Sequence, residues 1–185
     1  MHGGESTDEK EMKSMTELRL GDQLVRYDRD ATVAAYAHLQ RGSAEMCGCN
    51  VCRNFLAQRD GVYPQHFLRL LDQMGIDLTK EGDLYEEGPL ADNVQPCAGW
   101  FYFVGQVVEA GERLTEMGKD FQCFIRGAGA TSVTKLFGDS VCALEFTARV
   151  PWVLDASCDP AGRRQMEKAE EIMARYPNTL RKLAE

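Results

Sequence analysis

Residues 99–111, GWFYFVGQVVEAG, carry the strongest strand pattern in the chain and determine how the rest is arranged around them. The stretch is rich in aromatic and β-branched residues, which favour β-strands. Trp100 and Tyr102 alternate with Phe101, so both faces of the strand are apolar. A strand with two apolar faces is covered on both sides. The stretch therefore predicts a central strand from Trp100 to Val108.

Further strands are predicted before and after this one. DFQCFIRG (120–127) and SVCALEFTARV (140–150) follow it, and in the second of these, alternating apolar residues indicate one buried face. Shorter candidates are residues 23–27 and 83–87. Hairpin-like spacing favours antiparallel pairing over βαβ crossovers. The sequence therefore predicts a mainly antiparallel sheet of four or five strands.

Helices are predicted mainly in the first half, from apolar spacing and terminal residues. The predicted helices are residues 31–41, with Asp30 as N-cap and Gly42 as the stop; 50–59; 64–74, begun by Pro64 and ended by Gly75; and about 159–176. The predicted fold class is α+β, with the N-terminal helices packed on one face of the sheet. The C-terminal helix is expected to dock through Met166, Met173 and Tyr176, on its own sheet or on a partner subunit.

Composition and charge limit the class of protein. The chain has 185 residues, of which 44% are apolar and 27% charged, as in soluble globular proteins. We predict a disordered arm at residues 1–16, which contains no apolar secretory region, and a single domain over 17–185. The net charge of −8 argues against nucleic-acid and anionic-membrane partners. A protein or small-molecule partner remains, and the second apolar face of the central strand is compatible with a homodimer.

Seven cysteines are present, and three of them lie within residues 45–55, EMCGCNVCRNF. An odd number without a secretory signal predicts free thiols in a reducing cytoplasm. Zn²⁺ prefers four ligands, and thiolates are among its main structural ligands. Cys49 and Cys52 form a CxxC knuckle that turns two sulfurs toward one point, and Cys47 adds a third. His38, nine residues before Cys47, is the predicted fourth ligand of a zinc site.

Alternatives to this site stay open at the level of the sequence. Cys97 is a second candidate for the fourth ligand. A CxxC pair at a helix start also suits a redox protein, although thioredoxin-like motifs follow a strand and this one follows a helix. The thiols would otherwise be inert, since cysteine often packs as a small apolar residue. Cys123 and Cys142 are assigned to the core on their alternating strands.

No nucleophile–base spacing or cofactor-binding loop stands out in the sequence. We therefore predict a non-enzymatic binding or interaction module with a cysteine-based Zn²⁺ site. The alternative is a small zinc-dependent enzyme, in which an open coordination position activates water. A CxxC thiol redox protein is the third interpretation. An acidic stretch, residues 83–92, predicts a solvated face, a surface for a basic partner or a site for a hard cation.

Several segments together resemble a family of small uncharacterised bacterial cytoplasmic proteins. The segments are CGCNVCRNF, LLDQMGIDLTKEGDLYE, GWFYFVG and LEFTARVPWVL, and the resemblance covers about residues 20–155. The family pattern is a CxxCRN motif, a GIDxxKxxE segment, where this chain has Asp83 in the last place, and a GWxxFVG strand. The residues that match its cysteine region and its strand are His38, Cys49, Cys52, Asn54, Gly99, Trp100, Phe103, Val104 and Gly105. Family members often have a histidine where this chain has Tyr102, and the resemblance implies no particular activity.

Overall fold

The computed structural model describes residues 15–154 of the chain. The predicted C-terminal helix at about 159–176, with its docking stripe, lies outside the described residues. So do residues 1–14 of the predicted arm, and the first strand begins at Thr16, within the last part of that arm. No helix in the described range is long and apolar enough to cross a membrane.

The described part of the chain is α+β, with seven strands in an antiparallel sheet. The strands are β1 (Thr16–Leu20), β2 (Gln23–Tyr27), β3 (Asp83–Glu86), β4 (Val94–Glu109), β5 (Thr115–Gly118), β6 (Phe121–Gly127) and β7 (Val141–Pro151). The prediction of four or five strands was too low because it missed β1 and β5. Both are short, polar strands at the two ends of the sheet, where one edge faces solvent and apolar alternation is not needed.

Strand β4 is the centre of the sheet, as predicted. It has 16 residues, and β7 pairs with it from Val94 to Val104. β3 pairs with residues 97–100 and β2 with residues 105–109, so the long strand has two shorter partners along its length. The strand order is β1-β2-β4-β7-β6-β5, with β3 beside β4.

A buried glutamine joins two strands that are not neighbours in this order. Gln23 of β2 donates from Nε2 to the carbonyl of Ile125 in β6 at 2.6 Å and accepts from the Ile125 N–H at 2.8 Å. The side-chain amide therefore makes the two hydrogen bonds that a neighbouring strand would make. Since β4 and β7 lie between β2 and β6 in the order, the sheet must curve strongly to bring Gln23 to Ile125.

Residues 15–154 form five α-helices in addition to the sheet. They are α1 (Arg29–Ala37), α2 (Ser43–Met46), α3 (Asn50–Leu56), α4 (Arg59–Val62) and α5 (Gln65–Met74). A 3₁₀-helix spans Thr134–Phe137.

The helix boundaries differ from the prediction in four places. The N-cap of α1 is Asp28 rather than Asp30, because Asp28 has extended backbone and its side chain accepts the Ala31 N–H at 2.9 Å. The same helix ends at Ala37, four residues early. The predicted helix 50–59 is two short helices, and Pro64 is the N-cap of α5 rather than its first residue.

The core is built from aromatic rings between the helices and the sheet. Phe67 of the amphipathic helix α5 lies 4.7 Å from Phe121, centroid to centroid, and 5.9 Å from Phe146. The rings of Phe121 and Phe146 stack at 5.6 Å with an interplanar angle of 7°. The rings that complete this cluster are Phe55, Tyr63 and Phe101.

The opposite face of β4 is also covered. The Tyr36 hydroxyl of α1 donates to the Tyr102 carbonyl at 2.8 Å, and the rings of Tyr102 and Phe137 lie 6.0 Å apart. Helix α1 and the 3₁₀-helix therefore supply part of the second layer that the two apolar faces of β4 require. The prediction that the N-terminal helices all pack on one face was wrong, because α5 packs on the Phe101 face.

Candidate metal centre

The three clustered cysteines lie on the segment that joins α2 to α3. Cys47 is the C-cap of α2, Gly48 follows, and Cys49 is the N-cap of α3. Both short helices contact strand β3. We call residues 43–56 the cysteine segment.

A close backbone approach fixes the start of the cysteine segment. The Ser43 N–H donates to the Glu81 carbonyl at 2.9 Å. A Cβ atom on Gly42 would clash with the Glu81 carboxylate and would lie only 2.6 Å from the carbonyl oxygen of Thr79. Glycine is therefore required at position 42 for α2 to pack against the loop before β3.

A buried ion-pair network holds the start of the segment in place. Arg59 of α4 lies 3.0 Å from Glu81, Nε to Oε1, and donates to Glu45 of α2 at 3.1 Å. The Glu81 side chain is fully buried, and the Tyr63 hydroxyl donates to it at 3.4 Å. Burial raises the pKa of Glu81, and the Arg59 charge opposes that shift. Removing one partner of such a pair leaves an uncompensated buried group.

The far end of the segment is attached to the sheet. Asn54, a buried residue of α3, donates from Nδ2 to the Pro151 carbonyl at the end of β7, at 2.9 Å. Gln58 donates to the same carbonyl at 2.6 Å. The cysteine segment is thus fixed at both ends by polar contacts with distant parts of the chain.

The structure brings three of the four predicted ligands together. The sulfur atoms of Cys47, Cys49 and Cys52 all lie within 4.8 Å of one another. In a tetrahedral site with Zn–S bonds of about 2.3 Å, two sulfurs lie about 3.8 Å apart, so small movements suffice to bind an ion. Cys52 is buried, whereas Cys47 and Cys49 are exposed, so the cluster opens toward solvent on one side.

Backbone N–H groups point at two of the sulfurs. The Cys52 N–H contacts the Cys49 sulfur at 3.5 Å. The pKa of Cys47 is lowered mainly by a hydrogen bond from the Cys49 N–H to its sulfur. Hydrogen bonds with the thiols of Cys49 and Cys52 lower it further. The pKa of Cys52 is raised mainly by burial, and hydrogen bonds with the thiols of Cys49 and Cys47 raise it further. The cluster thus combines an exposed sulfur that favours the thiolate with a buried one that favours the thiol.

His38, the predicted fourth ligand, is not part of this group. It is the exposed C-cap of α1, and its ring nitrogens do not join the three sulfurs within 4.8 Å. Cys97, the alternative, is buried on β4 opposite Glu86. Burial, and then the charges of Glu86 and Cys49, raise the pKa of Cys97 to about 11. The Cys97 sulfur does not join the three clustered sulfurs within 4.8 Å. The role of His38 stays a prediction.

Cys123 and Cys142 lie in the core, as predicted. Both are about 1% exposed, and burial raises the pKa of Cys123 to about 12 and that of Cys142 to about 11. The Cys142 thiol contacts the carbonyl oxygen of Gly105 at 3.3 Å. The six cysteines in the described part of the chain are free thiols.

The chain matches no protein-family model, no curated protein and no solved structure. The family resemblance of the sequence is therefore neither supported nor opposed, and it stays a prediction. Function has to be argued from the site.

Sequence reasoning missed the residues that support the site. These residues are Glu45, Arg59 and Glu81, and the sequence analysis singled out none of them. Their partners lie 14 and 22 positions apart, so no helical or strand spacing links them. What the arrangement offers chemically is a chelating set of three sulfurs on a segment fixed at both ends.

Proposed function

We propose that the chain is a non-enzymatic metal-binding and interaction module in which Cys47, Cys49 and Cys52 hold Zn²⁺. The observation that supports this proposal is the approach of three sulfurs within 4.8 Å of one another on one short segment. Thiolates are soft ligands that suit zinc and disfavour magnesium and calcium. The partner of the module is a protein or a small molecule.

The bound ion would act on the local fold. Cys47 belongs to the end of α2 and Cys52 to the first turn of α3, so one ion would link both short helices. Helices of four and seven residues have little stability of their own. Zinc would therefore stabilise the surface that the cysteine segment presents to a partner.

A small zinc enzyme is the second candidate, and one observation favours it. Three protein sulfurs with an open side leave a coordination position for water, as catalytic zinc sites do. Three thiolates, however, give the site a net charge of −1 with Zn²⁺, which opposes ionisation of bound water. The common catalytic zinc sites, such as His₃, His₂Glu and Cys₂His, contain at least one histidine, which this cluster lacks. The interaction module is therefore the better-supported function.

Metal analysis of protein purified without chelators or metal-affinity resin tests the proposal. We expect one zinc per chain in wild type, and loss of that zinc in Cys49→Ser and Cys52→Ser. The matched control is Cys142→Ser, because a serine hydroxyl there can still donate to the Gly105 carbonyl. If wild type binds well under one zinc and the two cluster variants melt at the wild-type temperature, the thiols do not hold zinc and the proposal is wrong.

A further inference from the structure

The cluster is notable for being a three-sulfur site without a fourth protein ligand. Within residues 15–154, no further histidine, cysteine or carboxylate atom joins the three sulfurs at 4.8 Å. Cys52 forms the buried base, and the two exposed cysteines leave the opposite side open. Such a set is incomplete for a tetrahedral ion and complete for an ion that takes three sulfurs in a pyramid.

The net charge of the complex also distinguishes the ions that could bind to three thiolates. Three thiolates with Zn²⁺ leave a net charge of −1, and with Cu⁺ a net charge of −2. A trivalent ion gives a neutral complex. Both short helices of the cysteine segment contact strand β3, which carries Asp83 and Glu86. An acidic neighbourhood in a chain of net charge −8 disfavours a complex that adds further negative charge.

We propose that Cys47, Cys49 and Cys52 form a binding site for trivalent arsenic, which arrives as neutral arsenous acid. As(III) is thiophilic and three-coordinate, and its lone pair would occupy the open side of the cluster. This inference shares one element with the proposed function, namely that the three thiols act as one chelating site. It does not require zinc to be the resident ion.

The binding step balances without an oxidant or a reductant. As(OH)₃ reacts with three cysteine thiols to form three As–S bonds, three As–O bonds break, and three water molecules leave. Each thiol proton goes to a departing hydroxide, and arsenic stays trivalent. Since each sulfur contributes one bond, all three cysteines are needed for the complete complex.

Titration of the full-length protein with sodium arsenite, followed by native mass spectrometry, tests the site. The protein is kept reduced with a phosphine, because dithiols compete for arsenic. We expect one adduct with the mass of one arsenic atom less three hydrogens. Cys47→Ser, Cys49→Ser and Cys52→Ser should each weaken arsenite binding at least about tenfold, whereas Cys142→Ser should bind as wild type does.

X-ray absorption at the arsenic edge of the wild-type complex counts the sulfur neighbours directly, so the test does not depend on variants that fold. Three sulfurs support the proposal. Two sulfurs and an oxygen, or full-affinity binding by Cys47→Ser, would overturn it in favour of a Cys49–Cys52 dithiol.

Zinc titrations of the same preparations separate the two proposals. Zinc without arsenite binding overturns the arsenic site and leaves the zinc module standing. Binding of arsenite without binding of zinc overturns the zinc module and leaves the arsenic site standing. Binding of both, with arsenite releasing one equivalent of zinc to a colorimetric indicator, supports both.

Discussion

The aromatic core and the cysteine segment are held together by different kinds of contact. The core rings are buried against one another, and their position follows from apolar patterns along strands and helices. The cysteine segment carries two exposed cysteines and is held by polar contacts at its ends, through Glu81 and Pro151. The core is therefore expected to supply global stability, and the polar contacts the local geometry of the sulfurs.

The cysteines of the described residues also fall into two groups, three in the cluster and three at separate strand positions. Cys97, Cys123 and Cys142 lie at buried strand positions outside the cluster, and burial is the main cause that raises the pKa of each. The clustered thiols differ from these because their sulfurs approach one another, and burial alone does not distinguish them, since Cys52 is as buried as Cys142. Proximity, rather than exposure, identifies the site.

The largest effect is expected from a change in the core that leaves the sulfurs alone. Phe146→Ala removes a ring that is about 1% exposed and stacks between Phe101 and Phe121. We expect a loss of about 3–5 kcal/mol in the free energy of unfolding, with unchanged zinc stoichiometry below the transition. Denaturant unfolding with metal analysis measures both. Phe124→Ala, on the other face of β6 and only half-buried, is the control and should cost less than half as much.

A loss of zinc binding in folded Phe146→Ala protein would show instead that the geometry of the sulfurs depends on the aromatic core.

Much of the core was predictable because its pattern is local. The alternation in β4 and β7 and the helical spacing of α5 are determined by side chains that are neighbours in the sequence. The helix cap was mispredicted because Asp28 and Asp30 are chemically equal candidates. What selects Asp28 is its extended backbone and the hydrogen bond from its N–H to the Val104 carbonyl of the central strand, at 2.9 Å.

The site was predictable only where its ligands are close in sequence. Cys47, Cys49 and Cys52 lie on one turn and one helix start, so spacing alone suggested their proximity. The contact between Arg59 and Glu81 depends on the packing of α4 against the loop before β3, which no pattern in either segment encodes. Long-range polar contacts of this kind are visible only in the folded chain.

The next effect concerns those polar contacts. Arg59→Met keeps the apolar stem and leaves Glu81 buried without its positive partner. We expect a loss of about 3 kcal/mol in stability and weaker zinc binding, since α2 also loses its contact through Glu45. The control is Arg126→Met, which removes an exposed ion pair with Glu145 and should cost less than about 1 kcal/mol. Equal losses in both variants would contradict a structural role for the buried network.

A smaller effect is expected from the titration of Glu81. Because burial raises its pKa, the folded protein keeps this proton to higher pH than the unfolded chain does. The stability that Glu81 contributes is therefore complete below its unfolded pKa, near 4.5, and is lost as the pH rises through its folded pKa. The stability of wild type relative to Glu81→Gln should fall across that window in denaturant unfolding at several pH values. Glu45→Gln, which changes an exposed partner of Arg59, serves as the control, and a difference that grows with pH would contradict the raised pKa.

The smallest effect is expected at His38, where the sequence and the structure point to different coordination. If three sulfurs hold the ion and water occupies the fourth position, His38→Ala should keep one zinc per chain. Its affinity, measured by competition with a zinc indicator, should change by less than about threefold, far less than in Cys52→Ser. His66→Ala, which changes an exposed histidine of α5, is the matched control. A loss in His38→Ala as large as that of a cysteine variant would show that the loop between α1 and α2 folds over the cluster when the ion binds. The zinc site would then be closed by four protein ligands. In the zinc-free protein, the open side that the arsenic site requires would be lost only if His38 also lay over the cluster without zinc.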